Sequence, residues 1–222
     1  MAAEPSRLAA NPSDDSRAAL IAAGERLIAE RGTITVSMRM VCEAAGHRNH
    51  SAVQFHFGSR DGLLQAIAAE RMGPITERRQ AMLAELDRRG DANDLRGIVA
   101  ALVVPLAERT LGVPGSHYAR FLAAGYADAA WSSAVQATAQ GRAFDSWRDR
   151  LEAALRDLPA PLRRARVDRA VTSVIVSLAA WEGNRGRRGL RDATLVADLI
   201  ATTVAALAAP PPVAESSGEP NL

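Results

Sequence analysis

Apolar residues recur at helical spacing through nearly all of this 222-residue chain, which restricts it to an all-α fold. Near the N-terminus the helices are short and closely punctuated. Over 16–31, Leu20, Ile21, Leu27 and Ile28 form one stripe with arginines and acids between them, and Gly32 ends that helix. After a short TITV segment, Ser37 is placed to cap a second helix over 38–45 by accepting from a free backbone N–H, and Gly46 stops it. Past His47 and Arg48 a third short helix is predicted over about 49–56, with Asn49 as its N-cap. Gly58 breaks it, and Ser59 caps a fourth helix beginning at Arg60. Ala44, Ala45 and Gly46 at the second corner are small enough for two helices to cross steeply and closely, as a helix-turn-helix requires. On spacing alone, a small helical subdomain without DNA-binding activity fits equally well.

Beyond residue 60 the helices lengthen. Leu63, Leu64 and Ile67 open one that Gly73 and Pro74 are expected to kink or interrupt, before it resumes through Met82, Leu83 and Leu86. The stretch DLRGIVAALVVPLAERTLG is apolar on most faces, with Pro105 in its middle, and is expected to be buried. No boundaries are drawn within 112–142. Phe144, Trp147, Leu151, Leu155 and Leu158 mark another helix, ended by Pro159 and Pro161. Val167, Val171, Val174, Leu178 and Trp181 then follow a 4-3-4-3 spacing, and Val196, Leu199, Ile200, Thr203, Val204 and Leu207 form a second stripe. GNRGRRG joins the two as antiparallel neighbours. Such a pair either completes the monomer's core or forms a dimer seam. The expected organisation is a disordered arm (1–15), a helix-turn-helix domain (16–62), a helical effector-binding and dimerisation domain (63–208) and a disordered tail (209–222).

Charge and cysteine content narrow the function classes. The 27 basic residues, all arginine, face 25 acids for a net charge of +2, and residues 1–62 balance seven arginines against seven acids, so no basic domain stands out. Positive charge is local: within 33–60, Arg39, Arg48 and Arg60 face one acid, Glu43, and three of the four histidines lie there. The single cysteine, Cys42, excludes an intramolecular disulfide and fits a reducing cytosol. No apolar run reaches the roughly 18 residues of a membrane span, so a cytoplasmic protein is expected. HExxH, CxxC and phosphate-cradling glycine loops are absent, and no enzymatic activity or cofactor is expected. His47, His50 and His56 with Cys42 match no ordinary zinc spacing, so no metal is assigned.

The segment VSMRMVCEAAGHRNHSAVQFHFGSRDGLLQAI resembles the DNA-binding region of the TetR family. The resemblance rests on a serine-capped second helix ending in Ala45-Gly46, a recognition helix closing in Phe55-His56-Phe57, and Ser59-Arg60-Asp61 opening the fourth helix. It covers about residues 16–70. The turn before the aromatic run is one residue longer here than in the commonest family pattern. The resemblance implies that the third helix enters the major groove, with Asn49, His50, Ser51 and Gln54 as base-reading candidates and Arg39 of the second helix beside them. Ser37, Phe55, His56 and Arg60 match positions that hold phosphates or support the helix, and Arg48 adds charge in the turn. Other readings stay open: Asn49 and Ser51 as caps, and His56 as a hydrogen-bonded core histidine.

The implied function is a repressor that binds a pseudo-palindromic double-stranded DNA operator as a homodimer. The dimer is expected through the helices at about 162–184 and 192–208. An unidentified small-molecule effector would enter the second domain and tilt the fourth helix, with Gly73 and Pro74 transmitting the movement. Trp131, Trp147, Trp181, His117, Tyr118 and Phe121 either line an effector cavity or fill the core. Two rivals remain: a helical small-molecule-binding protein or enzyme with structural N-terminal helices, and a DNA-binding protein without an effector.

Overall fold

A computed structural model describes residues 12–49, 51–126, 139–184 and 191–211. Those residues form nine α-helices and no strand: α1 (Pro12–Arg31), α2 (Met38–Ala44), α3 (Ala52–Phe57), α4 (Arg60–Arg88), α5 (Leu95–Thr110), α6 (Tyr118–Tyr126), α7 (Ala139–Ala154), α8 (Ala160–Gly183) and α9 (Asp192–Ala208). The proposed arm of 1–15 overlaps α1, which starts at Pro12 with Asp14 and Asp15 in its first turn, where acids favour the helix dipole. His50, Trp131, the rest of the arm, nearly all of the tail and residues 185–190 of the last connection lie outside the described residues.

The head is built from α1 to α3 and the start of α4. Leu20, Ile21 and Ile28 of α1, Val41 and Cys42 of α2, Val53 of α3 and Leu63, Leu64 and Ile67 of α4 are all buried in one core. Ser37 caps α2 by accepting from the Met40 N–H at 3.3 Å, and Ser59 caps α4 by accepting from the Gly62 N–H at 3.0 Å. Gly46 ends α2 with φ at 77°, a left-handed conformation that costs glycine little. Its neighbour's amide, His47 N–H, then reaches back to the Cys42 carbonyl at 2.9 Å. At Gly62 the constraint is proximity: a side chain there would run into the Phe57 carbonyl, so α3 and α4 meet backbone to backbone.

In the larger unit α5 is the central helix, buried on most faces, as its continuous apolar character requires. Helix α4 packs along it, α6 lies between α1 and α8, and α9 leans on both α5 and α8. The expected interruption at Gly73 and Pro74 does not occur: α4 runs continuously through both. Pro74 removes one backbone donor, but the packing of Ile67, Ala68, Ile75 and Arg79 holds the helix on either side. Pro159 ends a turn after α7, whereas Pro161 begins α8 rather than closing its predecessor, in the first turn where a missing N–H has no helical partner.

The 4-3-4-3 seam resolves within the monomer. Val167, Val171, Val174 and Leu178 are all buried in the core of the single chain. Of the aromatic candidates, Trp147, Tyr118 and Phe121 are buried, while Trp181 and His117 are half-buried. Among the described residues no helix is long and apolar enough to cross a membrane.

Candidate nucleic-acid interface

Helices α2 and α3 present one polar surface. Ser37 and Arg39 are exposed on α2, Arg48 and Asn49 in the turn, and Ser51 and Gln54 at the start of α3. The buried side of the same short helix is Val53, which fixes the rotation of α3 and leaves Gln54 outward. Arg39 pairs with Glu43 one turn on at 2.8 Å, and this hydrogen bond raises the guanidinium's pKa above its ordinary value. The pair is solvent-exposed, so Arg39 is readily released to another acceptor.

Asn49 does not cap α3 as a standard N-cap. Its side-chain oxygen accepts from the Ser51 N–H at 2.9 Å, a local turn that leads into a helix starting at Ala52. Ser51 occupies the capping position without using its hydroxyl there. The Ser51 hydroxyl is therefore outward and not engaged as a cap, whereas the Asn49 carbonyl side is engaged and its amide nitrogen is the group left for a ligand.

Two candidates, His56 and Arg60, face partly inward. His56 is half-buried with Nε2 at 3.0 Å from the Ser16 hydroxyl, and His47 Nε2 lies 3.2 Å from the same oxygen. One hydroxyl hydrogen serves only one ring, so Ser16 donates to one imidazole and accepts from the other. Arg60 donates to the Thr33 carbonyl, tying the start of α4 to the turn after α1. That contact occupies a group assigned to phosphate, and it gives Arg60 a supporting role in the head. Phe55 is 81% exposed and carries no hydroxyl, so it offers a nucleic acid only apolar contact. Phe57, expected as a core anchor, is half-buried beneath the Arg17 guanidinium, 5.6 Å from its centroid.

Sequence reasoning passed over the residues that join this head to the larger unit. Glu25 of α1 is buried and accepts from Arg71 of α4 at 2.7 Å and from the His117 backbone N–H at 3.3 Å. Burial opposes the Arg71 charge, but Glu25 and Glu70 outweigh it and its pKa lies above the ordinary arginine value. Glu182 of α8 is buried too, and accepts from the Ser116 hydroxyl at 2.8 Å and from the Ala119 and Arg120 N–H groups at 3.3 and 3.0 Å. The N-terminus of α6 is thus held by one carboxylate from the head and one from α8, each at the positive end of the helix dipole. A cleft of about 290 Å³ lies at this joint, lined by Glu25, Arg71, Arg109 and His117 among others. An isolated glutamate within a helical stripe gives no sign in the sequence that a distant helix end needs it.

Comparison with known proteins accords with this geometry. Residues 20–67 match the model of the family described as bacterial regulatory proteins, tetR family. No curated protein matches the chain by sequence. Among solved structures, a transcriptional regulator from Rhodococcus sp. Rha1 is 25% identical, with 85% of this chain and 94% of that one aligned at a TM-score of 0.52. The fatty acid degradation regulator FadR from Bacillus halodurans shares the fold at 14% identity, over 84% of this chain and 97% of that one, with a TM-score of 0.54. The TetR family regulator PfmR from Thermus thermophilus shares it at 18% identity, over 85% and 96%, with a TM-score of 0.50. The tetR family's own model is thus matched across the head, residues 20–67, and the fold of solved transcription regulators is shared along most of the chain.

Proposed function

We propose that the protein is a ligand-responsive repressor that binds a pseudo-palindromic operator as a homodimer. The observation that carries this reading is the exposed polar set on α2 and α3, Arg39, Arg48, Asn49, Ser51 and Gln54, standing on a head whose other side is fully packed. Gln54 and the Asn49 amide suit adenine, and Arg39 suits guanine once it leaves Glu43. Phe55 would lie against a thymine methyl or a sugar. His50 is kept as a base-reading candidate, while Ser37, His56 and Arg60 keep the helices in place for this surface.

Dimerisation is assigned to α8 and α9, but through the faces opposite the buried valine seam. Helix α8 exposes Arg169, Thr172, Ser173 and Val176, and α9 exposes Ala197, Ala201, Thr202 and Ala205. Val176 is 53% exposed, and beside it the α9 face is small and nearly uncharged, unlike an ordinary solvated surface. Two copies meeting there would set the recognition helices about 34–36 Å apart, on successive major grooves.

An effector must bind the DNA-incompetent conformation more tightly, and DNA must weaken effector binding in return. The route supported by the contacts runs through the α6 N-terminus, where Glu25 and Glu182 hold head and core to one helix end. A break at Gly73 and Pro74 has no place in that route, since α4 is continuous.

Fluorescence anisotropy on an operator duplex and its single-base variants tests the contact assignments. Arg39→Ala and Gln54→Ala should each flatten the preference at one position by about 1–3 kcal/mol, whereas Arg48→Ala should weaken binding to all sequences and lower the salt slope by about one. Equal effects of all three on every duplex would contradict the assignment.

A further inference from the structure

Arg79 of α4 is 2% exposed, among the most deeply buried large side chains of the molecule. Its position follows from a neighbour's chemistry. Pro105 has no N–H, so the Ala101 carbonyl one turn earlier in α5 loses its helical donor. Arg79 Nε supplies the replacement at 3.2 Å. That uses one of the guanidinium's five N–H groups. Among the described residues Nη1 is buried with no hydrogen-bond partner, and so is the Thr76 hydroxyl one turn back on the same face of α4. No described carboxylate pairs with Arg79.

A glutamine could serve the Ala101 carbonyl without bringing a charge into the interior. An unpaired buried charge is strongly destabilising. Burial lowers the Arg79 pKa to about 10, which still leaves it protonated at neutral pH. The surroundings are apolar and aromatic. Phe144 of α7 lies under the guanidinium at 5.4 Å and stacks on Trp147, and Tyr118 and Phe121 of α6 stack at 5.9 Å. The Tyr118 hydroxyl donates to the Met72 sulfur at 3.8 Å. Phe144 is half-buried, so its ring extends from the guanidinium toward the surface.

We propose that this interior, between α4, α5, α6 and α7, receives a small molecule with a carboxylate head and an apolar body, and that Arg79 holds the carboxylate. The proposal rests on the reading of the larger unit as an effector domain and names the effector's chemistry. A carboxylate presents two coplanar oxygens that match the guanidinium fork, and Thr76 adds a hydroxyl donor beside it. The aromatic rings take the apolar body. A ligand that neutralises Arg79 also draws on the side of α4 that continues into the head, so occupancy and head position share one helix.

The test is calorimetry and tryptophan fluorescence on the full chain without DNA, using octanoate and phenylacetate, each against its own primary amide. At least one acid is expected to bind about tenfold or more tightly than its amide, the difference that a charge-assisted hydrogen bond makes. Arg79→Met should bring acid and amide within about twofold, and Arg79→Lys, which keeps the charge but not the fork, should fall between. Should Arg79→Met fail to fold, the lysine variant decides alone: a reduced acid preference is expected, and an unchanged one overturns the proposal. Equal binding of acid and amide by the unaltered chain, or a preference untouched in both variants, overturns the proposal. Because DNA is absent from this experiment, a failure of operator binding elsewhere would contradict the regulator reading and leave this site standing.

Discussion

Where α8 meets the end of α9, the buried guanidinium of Arg166 donates to the Leu207, Ala209 and Pro210 carbonyls. These are the acceptors that a helix C-terminus leaves free, and a cation there also suits the helix dipole. Between α4 and α5, Arg79 is buried more deeply still, and among the described residues its hydrogen bond is to the Ala101 carbonyl alone. The buried carboxylates resemble Arg166: Glu25 and Glu182 each accept from two or more donors. Among the described residues, buried charge is therefore saturated where it joins elements, and left open in the larger unit's interior. The contrast separates a charge that builds the fold from one retained at a cost in stability.

Substitution should sharpen that contrast, with the largest effect at the saturated site. Arg166→Met leaves three carbonyls without a donor at the end of α9 and is expected to lower unfolding free energy by about 3 kcal/mol in urea titration. The same change at Arg79 should leave stability level or raise it, because replacing an unpaired buried charge by an apolar side chain removes a penalty. A loss at Arg79 as large as that at Arg166 would dissolve the distinction. Ser37→Ala removes the cap on α2 and should cost about 1 kcal/mol, with weaker operator binding because Arg39 follows directly in the first turn. Smallest, Gly73→Ala meets open space in a continuous helix and should stabilise by about 0.5–1 kcal/mol, with induction unchanged. Altered induction in that variant would restore Gly73 as a joint.

The head was the most legible part of the chain because its signals are local. Ser37, Gly46, Gly58 and Ser59 act on backbone within a few residues of themselves, and each marks a helix end in the structure. Pro74 misled because its effect depends on what packs around it, and α4 is held by contacts along its length. The valine spacing of α8 gave the buried face correctly but not its partner, since the same period serves a monomer core and a dimer seam. Among the site candidates, exposure of Arg39, Arg48 and Gln54 follows from the helical period. The inward contacts of His56 and Arg60 depend on Ser16 and Thr33, which lie far off in sequence. Glu25, Glu182 and Arg79 were invisible for the same reason: their partners are set by the fold.

Selection of bound sequences from a random duplex pool, with purified full-length protein at moderate salt, tests the central claim most directly. The expected result is enrichment of one pseudo-palindrome whose half-sites are centred about one helical turn, or a whole number of turns, apart. Loss of that enrichment in a Gln54→Ala, Arg39→Ala double variant would tie it to α2 and α3. No enrichment over the starting pool, or enrichment unchanged in the double variant, would contradict sequence-specific recognition by this surface.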